Sequence, residues 1–176
     1  MGMNRRKVLV GLGTVVAGGG VAFGSGAFSQ VSAERTVTAD TTGDGSAYLV
    51  LSGDGSYVST SGNQVVFTFD SLNERADSEF DDILTITVNA GDPNSQDAVA
   101  SSYDIYFQSE TGLGSSSALD FEDQSDNSIV GSTSPTSISY NSGSWESVNV
   151  GATFNLTDNA VGDVPNNVTI VADDGS

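Results

Sequence analysis

Carboxylates are the chemistry-bearing residues of this chain. Asp77, Glu79, Asp81 and Asp82 crowd one short segment, and Asp120, Glu122, Asp123 and Asp126 crowd another. Carboxylates and carbonyls in a flexible loop can ligate calcium. A facing pair can serve as acid and base on a glycosidic bond. The EF-hand spacing is absent, including its central glycine and terminal bidentate Glu. A glycosidase needs a cleft and aromatic sugar platforms, and Trp145 is the single tryptophan. The clusters therefore read first as hydrated surface, and calcium is the one ion they suit, with Asp120, Glu122, Asp123 and Asp126 as its ligand candidates. No other cofactor is implied. A carbohydrate-binding surface would use Trp145, Tyr140 and Tyr103; the plainer reading makes Trp145 a core plug or a loop anchor.

The missing residue types exclude more than the present ones suggest. Histidine and cysteine are both absent. That removes a Ser-His-Asp triad, a Cys-His pair and a His-ligated zinc. It also removes disulfides and a thiolate nucleophile, so the domain must hold itself by packing. The chain reads as non-enzymatic.

Charge bounds the partners. Twenty-three acidic residues face five basic ones, for a formal net charge of -18. Three of the five are Arg5, Arg6 and Lys7; without them the charge is -21, and only Arg35 and Arg75 remain. Such a surface repels nucleic acid, which needs clustered Lys and Arg. At low ionic strength it also repels itself. In molar salt the screening length falls to roughly 3 Å and the repulsion fades. An acid-rich chain almost without lysine is expected of a halophile.

The N-terminal segment has the three zones of an export signal. Asn4-Arg5-Arg6-Lys7 is basic, and Val8 to Phe23 is an uncharged, Gly-rich run of sixteen residues. Ser25-Gly26-Ala27 and Val31-Ser32-Ala33 offer cleavage sites. The run would span about 24 Å as a helix, short of a ~30 Å hydrocarbon core. The paired Arg5 and Arg6 resemble a twin-arginine signal. We expect residues 1–27 to be the signal, extending to 33 if the second site is used, and no stable membrane span in the mature form. Residues 28–176 form one domain. Its location is then secreted or at the cell surface.

That domain reads as all-β. Two-residue alternation recurs between Gly, Ser, Asn and Asp clusters, and helical periodicity is almost absent. Val65, Phe67 and Phe69 share one face; so do Leu84, Ile86 and Val88, with Thr85 and Thr87 opposite. Tyr103, Ile105 and Phe107 follow, then Val148, Val150, Ala152, Phe154 and Leu156, and last Val168, Ile170 and Ala172. Leu119 to Phe121, Ile129-Val130 and Ile138 are weaker candidates. Nine or ten short strands with one apolar face each predict a two-sheet antiparallel sandwich, jelly-roll-like. One helical turn is expected near Leu72 to Phe80. Ser/Gly/Asn-rich loops are expected around residues 109–147. Asn155-Leu156-Thr157 and Asn167-Val168-Thr169 fit the N-glycosylation acceptor pattern, so Asn155 and Asn167 are candidates.

Phe28 to Asp40 is a two-faced strand just after the first cleavage site, with Val31, Ala33, Val37 and Ala39 on one side. It reads either as the first strand of its own sandwich or as a donor strand completing a neighbour's sheet. Head-to-tail exchange that does not close gives filaments.

The stretch from Asn4 to Leu9 through Gly24-Ser25-Gly26-Ala27-Phe28-Ser29, with Ala33 to Val37 and Ala47-Tyr48-Leu49, resembles a family of secreted haloarchaeal proteins. It is also distantly similar to the TasA/camelysin group. That resemblance implies a jelly-roll sandwich and, from some members, fibres of biofilm matrix built by donor-strand exchange. The metalloprotease activity ascribed to camelysin does not carry over, because there is no His for a zinc motif. The resemblance covers about the first fifty residues. The sequence thus leads to a structural or matrix subunit that self-associates. Its rival is a monomeric surface-binding module for polysaccharide, such as cell-surface glycans, or for calcium.

Overall fold

The computed structural model describes residues 32–43, 49–61, 64–94 and 99–174. The expected signal segment, with Arg5 and Arg6, lies outside these residues, as does Val31.

The described chain folds into two sheets. Seven strands form the first, in spatial order β3 (Val58–Ser61), β4 (Gln64–Asn73), β1 (Ser32–Gly43), β11 (Asn167–Asp173), β6 (Ser102–Phe107), β8 (Thr136–Asn141) and β9 (Ser144–Trp145). Four form the second: β2 (Leu49–Gly53), β5 (Ser78–Val88), β10 (Ser147–Phe154) and β7 (Leu119–Asp123). The architecture is an all-β sandwich, as the alternation predicts. Every strand pair is antiparallel except β1 with β11.

The sheets meet over the predicted apolar faces. Phe67, Phe69, Tyr103, Ile105, Phe107, Val168 and Ile170 from the larger sheet are buried against Leu84, Ile86, Phe121, Val150 and Phe154 from the smaller one. Aromatic rings bridge the layers. Phe107 stacks on Phe121 with centroids 3.8 Å apart, and Phe69 meets Phe154 edge-on at 4.7 Å. Such pairs add about 0.5–1.5 kcal/mol each beyond the burial itself. A cysteine-free domain gets its cohesion here.

Two expectations change in detail. Between β4 and β5 there is a tight turn rather than a helical one. Asn73 Oδ1 accepts the N–H of Arg75 at 3.1 Å and Asn73 O accepts that of Ala76 at 3.3 Å. An Asn side chain that holds the backbone two residues on favours such a turn over a helix. The region 109–147 holds β7, β8 and β9 between its loops, because Leu119, Phe121 and Ile138 find places in the core.

β1 takes a central position in the larger sheet. Thr36, Val37 and Thr38 lie opposite Thr68, Phe67 and Val66 of β4, and Thr38 to Gly43 lie opposite Asn167 to Ala172 of β11. Among the described residues no helix is long and apolar enough to cross a membrane.

Candidate functional site

The two acidic clusters, about forty residues apart in sequence, come together on the outer face of the four-stranded sheet. β10 lies between β5 and β7, and Gly151 at its middle is the meeting point. On one side Gly151 is opposite Glu122. On the other, the register runs from Val150↔Leu84 to Ala152↔Phe80, so Asp81, Asp82 and Ile83 face Gly151 alone. This is a β-bulge, which bends the strand and re-aims its side chains. Ile83 and Leu84 are both buried in succession, and Asp82 takes a left-handed φ of 51°. Only glycine suits the opposite position comfortably: a Cβ on Gly151 would lie 3.0 Å from the Phe80 carbonyl oxygen.

The result is an open groove of about 430 Å³ with Gly151 in its floor and Glu79, Asp81, Asp82, Glu122, Asp123 and Asp126 around it. Glu122 is the group most shaped by this setting. Partial burial raises its pKa first; the Thr153 hydroxyl, donating at 2.8 Å, lowers it, and Asp120, Asp126 and Asp81 raise it again. Asp123 is consumed by its own turn. Its Oδ1 accepts the N–H groups of Ser125 at 2.8 Å and Asn127 at 3.2 Å, and Asp126 in that turn has a φ of 58°. Asp77 leaves the cluster and accepts the N–H of Thr157 at 3.2 Å.

Asp120 sits apart from the groove and is the buried polar or charged side chain among the described residues, 3% exposed. Its Oδ1 accepts from Ser128 Oγ at 2.7 Å and Phe121 N–H at 2.9 Å, while Oδ2 is enclosed without a partner. Burial raises its pKa, against the lowering effect of those two hydrogen bonds. Asn155 Oδ1 is likewise enclosed without a partner. The four calcium candidates therefore divide. Glu122, Asp123 and Asp126 border one groove, and Asp120 lies beneath Ser128. Among the described residues, no three acidic side chains converge on a point where a metal ion could sit.

The aromatic candidates do converge. Trp145 lies 5.5 Å from Tyr103 and 5.4 Å from Tyr140, ring to ring. Its indole Nε1 donates to the Ala90 carbonyl at 3.0 Å, so it pins the segment after β5. Tyr103 is buried and offers no face to a sugar. Desolvation first, and then the Asp92 carboxylate to which it donates, raise the Tyr140 phenol above its ordinary pKa. The geometry is that of a loop anchor.

The two glycosylation candidates differ in access. Asn167 is exposed at the start of β11, and Asn155 is half-buried. Of the donor-strand candidates, Ala33, Val37 and Ala39 all lie on β1. The sequence-level reading missed the bulge at Gly151, and with it the joining of the clusters. Its one local sign was Asp81-Asp82-Ile83-Leu84, where two acids precede two apolar residues and alternation fails.

No protein-family model matches the chain, and no curated protein matches it.

Proposed function

We propose that this is an exported, salt-adapted structural protein of the cell surface or extracellular matrix, whose copies join through β1. The observation that carries this reading is the place of β1 in the sheet. It lies between β4 and β11, so its removal would divide the seven-stranded sheet in two. Yet it is joined to the rest of the described domain only through the five residues 44–48. The same strand from a neighbouring copy would satisfy the same two ladders, one antiparallel and one parallel. Main-chain hydrogen bonds would supply the affinity and side-chain alternation the register. Each copy that gives a strand and receives one propagates a head-to-tail chain.

Composition supports the reading. The acid excess suits concentrated salt, and the chain has no histidine or cysteine from which a Ser-His or Cys-His pair could be built. The resemblance of the first fifty residues to the haloarchaeal secreted family and the TasA/camelysin group supports export and fibre assembly.

The absence of native cysteine makes a direct test simple. Thr36→Cys and Thr68→Cys, opposite each other in register, are produced as separate single variants, mixed during assembly in molar salt and treated with a short thiol-to-thiol crosslinker. Exchange gives covalent heterodimers and filaments by electron microscopy. A protein that forms no filaments, with crosslinks only when both cysteines share one chain, overturns the reading.

A further inference from the structure

The outer face of the four-stranded sheet has a second end, away from Gly151. Val50 and Ser52 of β2, Thr85 and Thr87 of β5, and Ser147 and Asn149 of β10 point outward there, and none is charged. Thr85 Oγ1 donates to Asn149 Oδ1 at 3.0 Å across the strands. β2 pairs with β5 alone among the described strands, so its other side presents an open row of backbone groups.

The neutrality extends through the neighbouring edge. From residue 45 to residue 69 the sequence has one residue charged at neutral pH, Asp54. That carboxylate is engaged at home, with Oδ1 accepting the N–H groups of Ser56, Tyr57 and Val58 at 2.9–3.0 Å. Gly53 lies so close to Val58 that a Cβ would strike its carbonyl oxygen, which brings β2 and β3 to the same side of the sandwich. Of the two large hydrophobic residues that the described surface leaves exposed, Tyr57 packs its ring against Phe69 and Phe80, and Val50 stands on the outer face of β2.

We propose that the β2 edge is a homotypic interface, at which two copies pair β2 to β2, antiparallel about a two-fold axis, into one continuous sheet. The charge distribution selects the occupant. A cationic partner would be drawn to the acidic end, whereas another polyanion can approach only where charge is absent, and a second copy brings the same neutral edge. Charge also selects among edges. β9 has two residues and runs into Glu146, β3 has four, and β7 carries Asp120, Glu122 and Asp123. Pairing β7 to β7 would set the acidic grooves side by side. Pairing β2 to β2 keeps the two β7 strands roughly 34 Å apart, at ~4.8 Å per strand, several screening lengths even at 0.1 M salt. Open edges are templates for strand addition unless charged, bulged or covered, and β2 has neither charge nor proline. This contact is independent of which copy supplies β1.

The test is sedimentation velocity of the secreted protein in molar salt, beside Val50→Glu. The expected result is a doubling of mass, from monomer to dimer if β1 stays in its own chain or from single to paired filaments if it is exchanged, that Val50→Glu abolishes while far-ultraviolet circular dichroism and β1 crosslinking stay unchanged. In parallel, Ser52→Cys and Thr153→Cys, at opposite ends of the same face, are treated with a short thiol crosslinker. Dimers should form through Ser52→Cys and not through Thr153→Cys, which decides the matter if Val50→Glu does not fold. A protein that stays as monomers or single filaments at all concentrations, a Val50→Glu variant that still shows the doubling, or equal crosslinking at the two positions overturns the proposal.

Discussion

The two ends of one sheet face have opposite characters. Around Gly151, five acids from β5 and β7 and one from the following turn surround a groove. Around Val50, β5 and β10 continue from the acidic end, β2 stands where β7 stood, and the three present Val, Ser, Thr and Asn. The core beneath both ends is continuous, so the difference is not one of folding need. It shows that the surface charge of an acidic protein is placed. Repulsion is concentrated where a bulge opens the surface to water and ions, and withheld where strands lie flat at an open edge. At ordinary ionic strength the acidic end should work against the fold, and the neutral end should be indifferent to salt.

The largest effect comes from breaking the platform under the acidic end. Phe121 is fully buried, 3.8 Å from Phe107 and 5.3 Å from Phe67 between ring centroids. Phe121→Ala should cost about 3–5 kcal/mol of stability, measured as denaturant unfolding at constant high salt. A loss under 1 kcal/mol would mean that β7 is held by something other than this core.

Salt sharpens the comparison at an intermediate level. Stability should fall on transfer from molar to ~0.1 M salt, where charges within roughly 10 Å are felt again. The triple change Asp81→Asn, Glu122→Gln, Asp126→Asn should flatten that dependence, and asparagine accepts the left-handed backbone at 126. Neutralising Glu110, Glu146 and Asp158, three exposed acids elsewhere, should do much less. Equal flattening by both sets in melting curves would show that total charge matters and placement does not.

The smallest effect is the pH dependence. Asp120 and Glu122 both have folded-state pKa values raised above their ordinary 3.8 and 4.5. The folded state therefore holds their protons more tightly than the unfolded one. Their contribution to stability is fully present below the ordinary carboxylate range and is lost as pH rises through the raised values. Melting temperature should thus increase on mild acidification from neutral pH. Asp120→Asn, which keeps the shape without the buried charge, should reduce the increase. A melting temperature that falls steadily on acidification would contradict the sign.

Alternation alone was enough to read the sandwich. Each of the main apolar sets, such as Val148, Val150, Ala152 and Phe154, is buried as its period of two requires. The acidic groove was half legible. Both clusters stood out as segments, but alternation says which face a residue takes and nothing about which strands are neighbours. Only the placement of β10 between β5 and β7 joins them. The turn after Asn73 was read as helical because Asn73-Glu74-Arg75-Ala76 interrupts the alternation, whereas the Asn73 side chain decides the local geometry. For Trp145 the sequence offered a loop anchor or core plug as the plainer reading and a sugar surface as the other; its Nε1 bond to Ala90, fifty-five residues away, was invisible at that level.

The parallel pairing of β1 with β11 also sets how the protein would respond to force. Its start and the end of β11 lie at opposite ends of the ladder, so tension applied through the two slides one strand along the other. Six opposed positions on β11 then resist together, with eight on β4 adding to them. Bonds loaded side by side share a pull that would open a peeled hairpin one bond at a time. A fibre joined through this slot would be strongest along its length, the direction in which flow or cell movement would stretch it.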